Sequence, residues 1–180
     1  MIARLLAAIS VVFLVALPAA AKVPAPVIAV IDVDQVMRDS SAAKGIREQL
    51  EKQEAAFRTE IAAQENTLRA ADQELAQKKV ILAPEAFQVQ VQDFQKRVAT
   101  LGELVQKRKR QLDDAFGQAQ KQLRDALSDI VQQQMKEQGV TLVLPKAVAL
   151  EVNKDLDITQ ETLKRLNQKL PQVKVVVSTN

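Results

Sequence analysis

The chain has 180 residues, 47% of them apolar, and a net charge of +3 from 25 basic and 22 acidic residues. It contains neither cysteine nor histidine, which excludes disulfides, thiol chemistry, a lipid-modified cysteine, and the commonest general base and imidazole metal ligand. So mild a positive bias gives no reason to expect nucleic acid as a partner, and five Phe with no Trp or Tyr favour long Ala- and Gln-rich helices over a deep core.

At the amino terminus Arg4 supplies a positive charge, and LLAAISVVFLVAL from Leu5 to Leu17 is apolar apart from Ser10. Pro18 and the small residues Ala19 to Ala21 follow. This is the pattern of a secretory signal, residues 1–21, cleaved after Ala21. The run is shorter than the roughly 18–20 apolar residues a membrane span needs. The mature protein is therefore expected to be exported.

KVPAP (22–26) is an extended lead-in, because two prolines deny helix. A strand is expected over 27–33, and residues 22–40 as a whole form the first piece of a body. Asp32 and Asp34 would share one face of that strand. A divalent cation needs more ligands than two, and no carboxylate cluster follows at a useful spacing, so no metal site is predicted. Asp34 reads as the cap of the turn QVMRD, and Asp32 as an acceptor of neighbouring hydrogen bonds. Ser40 and Ser41 are both suited to cap the next helix. Ser41 to Lys44, SAAK, also matches the S-x-x-K motif of penicillin-recognising enzymes. Neither S-D-N nor K-T-G accompanies it, and Ser128-Asp129 is followed by Ile130. It reads as a helix cap. No catalytic residue and no cofactor are predicted, and the chain is not expected to be an enzyme.

Residues 41–138 carry a helical hairpin. Leu50, Phe57, Ile61, Leu68, Leu75 and Leu82 form the first seam, the last four at heptad spacing. Pro84 breaks the helix and suits the first position of a new one, which places the tip near 82–85. The second helix, from about Glu85 to Gln138, carries Phe87, Val91, Phe94, Val98, Leu101, Val105, Arg108, Leu112 and Ala115 in steps of four and three. Gly139 is its expected stop. The two helices would be about 60 and 80 Å long. One apolar stripe per helix buries one seam, so the hairpin is expected to project as an arm. The run KRKR (107–110) should face Arg58, with Glu51, Glu54, Glu60 and Glu65 around it, and form cross-helix ion pairs. It leaves open a weak contact with an anionic membrane surface. At the tip Val80, Ile81 and Leu82 lie beside Phe87 and Val91, with Lys78, Lys79, Lys96 and Arg97 close by. Three consecutive apolar residues exceed what the seam absorbs, so one or two must face water or a partner. These nine residues are the candidate contact surface.

Residues 139–170 return to the body. VTLVL (140–144) reads as a strand, Pro145-Lys146 as a turn and AVALEV (147–152) as a second strand. A short helix follows, capped by Asp157 or Thr159 and turning Ile158, Leu163 and Leu166 inward. Pro171 stops it, and in the tail, 171–180, VKVVV is either a further strand or an extended segment. The fold class is α+β: a long antiparallel coiled-coil hairpin on a small β-sheet body. So small a body is expected to complete its core with other copies of the chain.

IAVIDVDQVM after the signal, then SSAAKGIREQLEKQ, the Gln/Lys/Glu-rich hairpin and VTLVLPKAVALEVNKDLDITQETLKRLN together resemble the Skp/OmpH-like periplasmic chaperones. The resemblance covers nearly all of the mature chain and is most specific in its two flanks. It implies a homotrimer with a shared β-body, whose helical arms enclose a cavity in the periplasm. There unfolded outer-membrane proteins are held without ATP. An alternative of a different class is a structural coiled-coil spacer or adaptor of the envelope.

Overall fold

A computed structural model describes residues 24–178. The expected signal peptide lies outside the described residues. The elements in chain order are β1 (Ile28–Ile31), α1 (Val33–Asp39), α2 (Ser41–Lys78), α3 (Pro84–Gln138), β2 (Leu142–Pro145) and α4 (Thr159–Lys169). Single 3-10 turns at Lys146–Val148 and Lys154–Leu156 connect the last two.

The strand stops at Ile31, short of the expected Val33, because Asp32 begins a helix. Its carboxylate accepts the Gln35 N–H at 2.8 Å and caps α1. The capping role assigned to Asp34 therefore belongs to Asp32, and Asp34 sits in the first helical turn. There its negative charge still meets the positive end of the helix dipole. Ser40, fully buried, caps α2 through the Ala43 N–H, and Ser41 is already the first helical residue.

α2 and α3 have 38 and 55 residues, about 57 and 82 Å. Pro84 occupies the first turn of α3, where its missing N–H leaves no bond unmade. At the other end Gly139 takes the left-handed conformation (φ 66°) that closes the helix, and the Val140 N–H reaches the Met135 carbonyl at 2.9 Å. Between residues 47 and 110 no side chain is buried. The hairpin is an arm held by a half-covered seam. The longer α3 continues into the body, where Leu123, Leu127 and Ile130 are buried.

Because the hairpin returns the chain to its origin, β1 and β2 pair although more than a hundred residues separate them. They pair in parallel, Ile28 opposite Leu142 through Ile31 opposite Pro145. A single parallel bridge joins Val30 to Asp157, and the Ile158 N–H donates to the Val30 carbonyl at 2.9 Å. The expected strand at Ala147–Val152 does not form. Lys146–Val148 coils into a 3-10 turn, held where Lys146 meets Asp157 at 2.6 Å, and Leu150 stands wholly in solvent. Alternation supplied the pattern of a strand, but the segment pairs with neither β1 nor β2.

The core sits where the arm enters the body. It gathers Ala29 and Ile31 from β1, Val36 from α1, Ala42, Ala43 and Ile46 from α2, Ala115 to Ile130 along α3, and Ile158 and Leu166 of α4. Alanines at 42, 43, 115 and 119 let backbones approach closely there. Val173 and Val175 of the tail belong to the same core, so the tail is an extended segment docked on the body. Asp157 Oδ1 accepts the Thr159 N–H at 2.9 Å at the start of α4, and the Thr159 hydroxyl accepts the Asp32 N–H at 2.9 Å. Arg165 grips Glu137 of α3 at 2.6 Å and Glu161 of its own helix at 2.8 Å.

Candidate functional site

The tip turn is built by Lys78, whose carbonyl accepts the N–H groups of both Ile81 and Leu82. That geometry leaves Val80 and Ile81 at the outside, 87% and 76% exposed. Leu82, Phe87 and Val91 turn back toward the seam and are half-buried. Two of the three consecutive apolar residues thus face water, because the narrow tip has a single seam to fill.

The cations sort differently. Lys78 is engaged by Glu74 at 2.7 Å, and that bond, with Arg97 nearby, holds the Glu74 carboxyl below its usual range. Arg97 lies over the seam with Leu68, Leu101 and Leu104. Lys79 and Lys96 are exposed. The nine predicted residues thus form an apolar point, Val80 and Ile81, above a collar of charge that Glu74 partly neutralises.

A second apolar surface, not anticipated from the sequence, lies nearer the body. There α2 and α3 part to leave a cleft of about 630 Å³ lined by Leu50, Phe57, Ile61, Val105, Leu112 and Phe116. Arg108 crosses it, its guanidinium 4.7 Å from the centre of the Phe57 ring and 3.0 Å from Glu60. The cross-helix pairing expected of KRKR is thus made by Arg108 with Glu60. The spacing puts Arg108 in the seam, but a seam position alone does not announce a cleft. Phe116, off the seam and 39% exposed, completes the wall.

Neither aspartate of D-x-D is arranged for chemistry, since Asp32 is consumed as a cap. Ser41 is tied through its N–H to Asn167 Oδ1 at 2.8 Å. Among the described residues no group of acidic side chains is placed to hold a metal ion. No helix among them is long and apolar enough to cross a membrane. What the arrangement offers is contact: half-open apolar seams, an apolar point and a cleft, all on one helical hairpin.

The family model described as OmpH, outer membrane protein (OmpH-like), matches residues 27–166. No curated protein matches the chain. Among solved structures, the crystal structure of a Caulobacter crescentus CB15 protein, described as a candidate outer membrane chaperone (OmpH-like), has the same fold. The TM-score is 0.80 at 16% identity, covering 87% of this chain and 93% of that one.

Proposed function

The chain belongs to the OmpH-like outer membrane protein family, and from that membership we propose that it is a chaperone. More specifically, it is an ATP-independent holdase of the periplasm, which keeps unfolded outer-membrane proteins from aggregating. The observation that carries this reading is the arm: over residues 47–110 its apolar side chains stay half-covered, and Val80 and Ile81 are bare at the end. A spacer or adaptor is served by a closed seam and a polar tip. An exposed apolar arm suits a partner that is itself apolar and unfolded, held by many weak contacts.

The client surface comprises Val80, Ile81, Leu82, Phe87 and Val91 with Lys78, Lys79, Lys96 and Arg97. Residues 1–21 direct export and are removed. The body carries exposed apolar residues of its own, Val27, Leu142, Val148, Leu150 and Leu156. Their cover in this reading is two further copies, so that three arms surround a client.

The test is dilution of a urea-unfolded β-barrel protein into buffer with and without the protein, read by light scattering. Suppression at about one trimer per client is expected, and none would leave the spacer reading standing. Val80, Ile81 and Phe87 all changed to Ser should raise the concentration needed by about tenfold, the loss of part of the burial of three apolar side chains. Unchanged potency would place the client surface away from the tip.

A further inference from the structure

The tail over residues 171–178 is bound as a ligand would be. Gln49 of α2 donates its amide N–H to the Val173 carbonyl at 2.8 Å and accepts the Val175 N–H at 3.0 Å. Its second amide proton goes to the Gly45 carbonyl of its own helix at 3.0 Å, which fixes the orientation of the clamp. On α3, Gln111 donates to the Ser178 carbonyl. Side chains alternate as on a strand: Val173 and Val175 are buried and Val177 is partly so, while Lys174 and Val176 point to solvent. Among the described residues no strand lies alongside it. Two glutamines do what a neighbouring strand would do, reading the backbone and leaving the core to read every second side chain.

From this we infer that the base of the arm is a binding groove for an extended segment with β-branched residues at alternate positions. The tail occupies it in cis. Recognition through main-chain groups and alternate apolar pockets tolerates many sequences of that pattern. The groove adjoins the apolar cleft, since Arg108 of the cleft wall donates to Gln111 Oε1 at 3.2 Å. A strand-forming segment of an unfolded client has the required chemistry, and in binding it displaces the tail. That client step rests on the function proposed above; the groove does not.

Tethered to α4 by only a few residues, the tail acts at an effective concentration in the millimolar range. The free peptide PQVKVVVSTN, dye-labelled at its amino terminus, should therefore bind a variant lacking residues 171–180 at micromolar concentration. It should bind the full-length protein at least about tenfold more weakly. In the truncated variant Gln49→Ala should weaken the peptide about tenfold, for two lost hydrogen bonds. A truncated protein with the far-UV circular dichroism of the full chain that takes up no peptide overturns the groove.

If truncation unfolds the body, the full-length chain still decides. With no native cysteine, S178C can carry a single environment-sensitive fluorophore. Gln49→Ala should shift its emission toward that of the free labelled peptide, and an unchanged spectrum overturns the clamp. Saturating unfolded β-barrel protein should shift it likewise. A client that is kept from aggregating while the tail stays docked overturns the displacement alone, whereas failure to suppress aggregation counts against the proposed function.

Discussion

Single residues decide where the elements of this chain begin, and two aspartates show how. Asp32 caps α1 while Asp34, two positions on, only faces the first turn. Asp32→Ala should therefore lower stability by about 1 kcal/mol. Asp34→Ala should change it by less than about 0.5 kcal/mol, both read from urea unfolding midpoints. The sequence pointed to Asp34 as the cap, and it is Asp32 that serves, because strand pairing with β2 ends at Ile31. Asp157 is a second such residue. Burial works to raise its carboxyl, but hydrogen bonds from Lys146 and from the hydroxyl and amide of Thr159 outweigh it and hold the group below its ordinary value. A depressed folded value adds stability that is complete above the unfolded value, about 3.9. It is lost as pH falls through the folded value. Asp157→Asn should therefore destabilise the body by about 1 kcal/mol at pH 7, and the difference from the parent should shrink on acidification to pH 3. A constant difference would mean that the packing of the side chain, not its charge, matters.

At the level of elements the hairpin was legible because its signals are local: heptad spacing, Pro84 at a first turn and Gly139 at a C-cap. The body was legible only in part. AVALEV has the alternation of a strand, yet it joins neither strand of the sheet and Leu150 stands in water. The seam is also uneven in a way that spacing does not reveal. Leu68 is half-covered in the arm, whereas Leu123 on α3 is 1% exposed in the body core. Leu123→Ala should cost about 3 kcal/mol of global stability. Leu68→Ala should cost less than about 1 kcal/mol and show itself as faster amide exchange confined to the arm. Equal effects would mean that arm and body unfold as one unit.

The whole molecule raises the matter of assembly. Exposed Val148 and Leu150 on the body, 69% and 99% bare, make no contribution to a single chain. If three copies cover these residues, as proposed above, light scattering of the protein at micromolar concentration should return the mass of three chains. Leu150→Asp should shift the mass toward one chain with little change in helicity, because the residue packs against nothing within its own subunit. A one-chain mass for the parent protein would overturn the trimer. Val80 and Ile81 face water, and that one or two of the three consecutive apolar residues at the tip turn must do so was readable from their order along the chain. The cleft at Phe57 and Phe116 was not, since it arises from the way Arg108 spaces two helices already in contact.

Local signals in the sequence specify the arm, its length, its two ends and the apolar excess at its tip. Each of these follows from periodicity and from the backbone limits of proline and glycine within a few residues. Tertiary contacts set the parallel pairing of β1 and β2 and the clamping of the tail by Gln49 and Gln111, and the end of that pairing at Ile31 leaves Asp32, three residues before Gln35, as the cap of α1. The pairing and the clamp join residues that lie far apart along the chain. No local pattern encodes them, because their geometry exists only after the hairpin has brought its two ends together.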